Sequence, residues 1–172
     1  MITQKEMSAY YNQIAPKLTN YLVANGESYE SACDIVQETF IRIWQKRNDY
    51  SSDDSISGIA YQTARNLRID MFRKNKNVSV TDEFDHVKDQ NSPVNQPYDG
   101  DIDYLRKKLV EALGKLSPEL RECYTLSKIS DLSGEEIAER LGISQSLVKV
   151  RVFRAKEQLA EMLKDVKKEF LG

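Results

Sequence analysis

One histidine and two cysteines in 172 residues leave little material for imidazole- or thiol-based catalysis. The histidine, His86, has no second imidazole with which to share a metal, and it sits among acids, where a solvated ring is expected. Cys33 and Cys123 lie far apart without ligand-like spacing. Buried free thiols in a reducing compartment are the expectation, since a disulfide would need their backbones within ~7 Å. No P-loop, metal-ligand cluster or nucleophile constellation appears. The reading is of a non-enzyme with no catalytic residue, metal or cofactor. Apolar runs are short, none near the ~20 residues that span a bilayer. The opening MITQKEMSAYYNQ holds no signal core, so a cytoplasmic protein is expected.

A large charge excess is also missing. The net charge of −2 rules out a simple polycation, but it conceals a strong segregation. Between Ser79 and Asp103 stand Asp82, Glu83, Asp85, Asp89, Asp99, Asp101 and Asp103 against Lys88 alone. Between Arg65 and Lys76 five bases face one acid, Asp70; between Ser144 and Lys156 four bases face none. The acidic stretch contains NSPVNQPYDGD, which is too polar and too rich in breakers to offset its ordering entropy. Residues 77–101 therefore read as a flexible linker between domains at 1–76 and 102–172. Strand-like alternation is absent, and the remainder is helical by period.

The first helical stretch covers about Thr3 to Asn25, with Met7, Tyr11, Ile14, Leu18 and Leu22 at 3–4 spacing. Pro16 is expected to kink it or to start a second segment, and Gly26 to end it. A second helix, Ser28 to Arg47, has the core stripe Ala32, Ile35, Val36, Phe40 and Ile43. Ile41 and Trp44 fall off that stripe, beside Gln37. They mark either a partner surface or a face covered by the first helix. A third helix, Ile56 to Lys74, turns Ile59, Ala60, Thr63, Ala64, Leu67 and Met71 inward. Tyr61, Arg65, Arg68 and Phe72 recur on another face. Rings that stack on unpaired bases and guanidiniums that meet phosphates would suit that pattern, as would a solvated basic face. Helices at Tyr104–Leu113 and from the Ser117-Pro118-Glu119 start to Ser130 follow the linker.

The most specific pattern comes next. Ser133-Gly134-Glu135-Glu136 is a capping box. Ile137, Ala138 and Leu141 face inward, and Gly142 stands where a sharp turn needs positive φ. Ile143 plugs the corner, and Ser144 caps a helix whose Val148, Val152 and Ala155 pack back. Gln145, Ser146, Lys149, Arg151, Phe153 and Arg154 are left outward. Helix, glycine turn and basic second helix together fit the DNA major groove. The plainer alternative is an ordinary αα-corner.

Both halves of the chain resemble sigma factors of the sigma-70 superfamily, of the small extracytoplasmic-function (ECF) type. Leu109 to Leu163 is similar to the family's region 4, DIVQETFIRIW to region 2.2, and AYQTARNLRIDMFRK to regions 2.3 and 2.4. The resemblance implies an all-α fold: a region 2 bundle and a region 4 helix-turn-helix joined by an acidic linker. It implies core RNA polymerase and promoter DNA as partners, no small-molecule substrate, and an anti-sigma factor that can sit at the membrane. Asp34, Gln37, Glu38, Ile41, Arg42 and Trp44 become the polymerase-binding set. Arg47, Asn48 and Tyr50, with Tyr61, Arg65, Asn66, Arg68, Phe72, Arg73 and Lys74, become the −10 set. Ser144, Gln145, Ser146, Lys149, Val150, Arg151, Phe153 and Arg154 become the −35 set. Leu147 and Val150 depart from the family's usual Thr and Ser, which implies less polar readout and contact with thymine methyls instead. The rival reading is a two-domain helix-turn-helix regulator that senses a ligand and never binds polymerase; the N-terminal half argues against it, because its arginine–aromatic third helix is not a ligand pocket.

Overall fold

The structure is a computed structural model. It describes residues 1–51, 54–78 and 100–171. His86 and most of the expected linker lie outside these residues. The described residues form α-helices and one 3-10 turn, with no strand among them. The all-α expectation is thus met. The chain divides into two compact units. The first comprises residues 1–20 and 27–92, the second residues 21–26 and 93–172.

The first unit is built from most of α1 (Gln4–Ala24), α2 (Tyr29–Gln45), the turn Arg47–Asp49 and α3 (Ile56–Val78). Thr3 and Glu6 start α1 with a reciprocal cap: Glu6 N donates to Thr3 Oγ1 at 3.2 Å, and Thr3 N donates to Glu6 Oε2 at 2.8 Å. Thr3 N and the Thr3 hydroxyl, the latter at 2.9 Å, both donate to the exposed Glu6 carboxylate and hold it below its ordinary pKa. The helix runs unbroken through Pro16. Ile14, Ala15 and Leu18 are buried on either side of the proline, and their packing outweighs its one missing donor. Ser28 caps α2 by accepting from Ser31 N at 3.1 Å. The expected stripe Ala32, Ile35, Val36, Phe40 and Ile43 is buried, joined by Thr39, whose hydroxyl donates back to the Ile35 carbonyl. Across this stripe α2 packs on α3.

Two residues of α3 are reversed relative to the sequence reading. Tyr61, expected on the outer face, is only 3% exposed, whereas Met71, expected inside, is 39% exposed. Ala60 and Ala64, both fully buried, fill little of the core, and Tyr61 is buried along with them. Burial ends at Leu67, and from Asp70 to Asn75 every residue is exposed. Met71 therefore keeps the right phase of the helix after the core has run out.

The second unit holds α4 (Gly100–Lys115), α5 (Pro118–Lys128), α6 (Gly134–Leu141), α7 (Gln145–Met162) and α8 (Lys164–Leu171). α4 starts four residues before the expected Tyr104, with Asp101 and Asp103 in its first turn, where carboxylates complement the helix dipole. Its core joins Ala24, Ala112, Leu113, Leu116, Ala155 and Leu159. Ser117, Ser133 and Ser144 cap their helices as expected, each hydroxyl accepting from the backbone three residues on. Gly142 ends α6 in the left-handed region, at φ 67° and ψ 36°. Ile137 and Val148 are sealed between α6 and α7, which completes the helix-turn-helix.

Candidate nucleic-acid interface

α7 follows a left-handed glycine and a serine cap, so its first turns are fixed against α6 before any side chain acts. Val148, Ala155 and Leu159 are its buried residues. With those inward, Gln145, Ser146, Lys149, Val150, Phe153 and Arg154 stand exposed on the other side. Phe153 is 62% and Val150 41% exposed, an unusual display of apolar surface on a basic helix. Ser144 lies at the same end, its oxygen engaged with Leu147 N at 3.1 Å.

Arg151 is not part of that face. It is half-buried and meets the thiol of Cys123 on α5. Burial raises the Cys123 pKa, and a hydrogen bond and the charge of Arg151 act in the opposite direction. Spacing explains the placement: Arg151 follows buried Val148 by three residues and precedes buried Ala155 by four, which puts it on the inner side. Both cysteines are free; Cys123 is buried, and Cys33 is half-buried rather than fully enclosed.

On α3 the outer stripe survives without its first ring. Arg65 and Arg68 are half-buried, while Asn66, Phe72, Arg73 and Lys74 are exposed. Phe72, at 68%, is the most exposed aromatic ring on this helix. Gln62 Nε2 donates to Asn66 Oδ1 at 3.2 Å, and Arg68 keeps Nη1 buried without a hydrogen bond among the described residues. The helix end thus offers one free ring among cations. Tyr61, buried, cannot stack on a base in this conformation.

The outer face of α2 gathers Asp34, Gln37, Glu38, Ile41 and Arg42, all exposed, with Trp44 half-buried at its end. Arg42 and Glu38 pair at 2.9 Å, an i,i+4 contact open to solvent that contributes little. Ile41 is 51% exposed. A shallow groove runs beside it, lined by Tyr11, Gln37, Phe40, Trp44 and Gln45. Tyr11 meets Phe40 edge-on, with ring centroids 5.0 Å apart. α1 therefore covers the inner side of this face and leaves Ile41 open.

The turn after α2 differs from expectation. Asn48 is exposed, but Arg47 is half-buried and folds back on Trp44, so it does not project into the loop where a base would be held. Tyr50 is half-buried; burial raises its phenol pKa, and the nearby Asp49 and Asp54 raise it further. Sequence reasoning missed Met71 and Tyr11 as members of these surfaces. No sequence signal marks either, because both continue apolar stripes. No helix among the described residues is long and apolar enough to cross a membrane.

Two basic, ring-bearing faces and one mixed polar and apolar α2 face are thus in place, and the chain that carries them is similar to known proteins. Residues 10–78 match the family described as "Sigma-70 region 2", and residues 106–159 the one described as "Sigma-70, region 4". The chain is 29% identical over 155 residues to RNA polymerase sigma factor CarQ of Myxococcus xanthus, spanning 90% of this chain and 87% of that one. It is 26% identical over 164 residues to an ECF RNA polymerase sigma-E factor of Haemophilus influenzae, spanning 89% and 82%. Among solved structures it resembles the sigma factor RpoE of Bartonella quintana, crystallised with the anti-sigma factor NepR. The TM-score is 0.72 at 23% identity, over 93% of this chain and 98% of that chain, a likeness of fold. Both regions match in the order of the two units and over most of the chain, so this protein belongs to the sigma-70 superfamily as an ECF RNA polymerase sigma factor.

Proposed function

We propose that the two units divide the work of a sigma factor among three faces. The outer face of α2, centred on Ile41 and Trp44 with Asp34, Gln37, Glu38 and Arg42 around them, docks on core RNA polymerase. The free end of α3, with Phe72 among Arg65, Asn66, Arg68, Arg73 and Lys74, holds the separated strand of the −10 element. Asn48 and Tyr50 stand at the loop that leads into it. α7 reads −35 duplex through Ser144, Gln145, Ser146, Lys149, Val150, Phe153 and Arg154. The chain acts in the cytoplasm and performs no chemical step. An anti-sigma factor is a further partner, a reading supported by the complex in which its fold relative RpoE was solved.

Strand opening then follows from differential binding. Paired DNA offers phosphates but no free base faces, whereas separated DNA offers both. A site that binds only the second form shifts the equilibrium toward it. Each stacked base contributes about 1–3 kcal/mol. The observation that carries this reading is Phe72, 68% exposed on a helix that has outrun its core, and followed by Arg73 and Lys74. A ring so placed adds nothing to packing. Phe72→Ala in reconstituted holoenzyme should lower the yield of open promoter complexes about tenfold, given the stacking energy of one base. Core affinity and binding of isolated −35 duplex should not change. Wild-type opening by this variant would remove α3 from the melting role.

A further inference from the structure

Arg47 stands in the turn after α2, yet its side chain turns back along the helix. Its guanidinium carbon lies 4.2 Å from the centroid of the Trp44 ring. Nη1 also donates to the Trp44 carbonyl oxygen at 2.9 Å. That carbonyl belongs to the last turn of α2, where carbonyls lack partners within the helix and the dipole is negative. A guanidinium answers both needs. The backbone is tied down as well, since the Arg47 carbonyl accepts from the nitrogen of buried Ile2 at 3.3 Å. Among the described residues the side chain of Arg47 thus engages Trp44, whose indole borders the groove beside exposed Ile41.

We propose that Arg47 is a positioning residue of the polymerase-docking surface: it braces Trp44 in one orientation and is not a DNA ligand. This rests on the reading of α2 as the docking face. A half-exposed indole at a helix end would otherwise sample several rotamers, and a partner would have to order it on binding. Bracing removes that requirement in advance. The residue type matters, because a planar guanidinium with five donors can lie over a ring and bond a carbonyl at once, whereas an ammonium concentrates its three donors on a compact charge that covers less of the ring.

Trp44 is the only tryptophan in the chain, so its fluorescence reads the brace directly in the full-length protein. Arg47→Lys keeps the charge at the helix end, and Arg47→Ala removes it. Acrylamide should quench Trp44 more readily in both variants. Core polymerase affinity should fall about two- to fivefold in Arg47→Ala, the value of one partly exposed cation–π contact, with the lysine variant in between. In the Trp44→Ala background the same substitution should have no further effect, and −35 duplex binding should stay at the wild-type level throughout. Arg47→Ala with unchanged core affinity or unchanged quenching overturns the brace. So does a full additional loss in the Trp44→Ala background, because Arg47 would then touch the partner itself. Impaired promoter opening at normal core affinity in Arg47→Lys would return Arg47 to the DNA. Trp44→Ala with undiminished core affinity overturns the docking reading and this role together, and so separates the two failures.

Discussion

Gly142 permits a test of backbone preference with tertiary contacts set aside. Its backbone lies at φ 67°, in the left-handed region. A Cβ built there meets nothing within 4 Å, so steric overlap with the rest of the fold plays no part. What remains is local. An L-residue with a Cβ loses about 1–2 kcal/mol in this conformation. Alanine also restricts the unfolded chain, which returns about 0.4–1 kcal/mol. Gly142→Ala should therefore destabilise the second unit by roughly 1 kcal/mol. Gly142→Asn should destabilise it less, because asparagine tolerates this region; Gly142→Val should destabilise it more, because a β-branch does not. Urea unfolding followed by far-ultraviolet circular dichroism gives the midpoints. The magnitude also decides what DNA binding will do. If the unit is stable by about 5 kcal/mol, the loss of one leaves nearly all of it folded, and −35 duplex affinity should hold in the alanine variant. Equal stability across the three variants, or an asparagine variant weaker than the alanine one, would refute the backbone argument.

Other outcomes follow from the exposed faces and from the one buried thiol. Arg154→Ala should weaken −35 duplex binding across sequences and reduce the slope of log affinity against log salt by about one, as expected for one phosphate contact. Ile41→Ser should leave the unfolding midpoint within about 0.5 kcal/mol of wild type, since half the side chain is already in water, while weakening capture of core polymerase measurably; a core affinity equal to wild type would count against α2. Burial raises the Cys123 pKa, so the folded state holds that proton more tightly than the unfolded chain. The sign follows: the contribution is fully present below an ordinary thiol pKa of about 8.5 and is lost as pH rises through the higher folded value. The alkaline decline in stability should accordingly be shallower in Cys123→Ala, and iodoacetamide should label Cys33 before Cys123 in the native protein.

Local chemistry was legible in the sequence, and distant geometry was not. Ser28, Ser117, Ser133, Ser144 and Gly142 were readable because a cap or a left-handed turn depends on neighbours within four residues. The Thr3–Glu6 box is written in the same code and was open to the same reading. Arg151 was also decidable, since three steps from Val148 and four from Ala155 fix it on the inner side. Tyr61 and Met71 were not. Their exposure depends on how much volume Ala60 and Ala64 leave and on where the partner helix ends, and neither appears in the helix's own period. Arg47 is harder still. Nothing in a basic residue after a tryptophan says that it will fold back onto the ring instead of extending into the loop.

The two exposed phenylalanines show why residue type alone does not assign a task. Phe72 and Phe153 are exposed to similar extents, 68% and 62%, and each stands beside arginine. In the proposed assignment α7 lies on paired DNA, whose bases stay stacked, so no π-face would be free and Phe153 would offer only apolar contact, for which the methyl of thymine is the natural counterpart in the major groove. Val150, exposed on the same side, extends that surface, in keeping with the missing hydroxyl at this position. On α3 the DNA is proposed to be held open, and a ring there would meet unpaired bases that have lost their stacking partners. On the proposed assignment, the same side chain would contribute shape complementarity in one unit and a difference in binding between two DNA states in the other. Only the second can shift the equilibrium toward separated strands, because a contact made equally well to closed and open DNA shifts nothing.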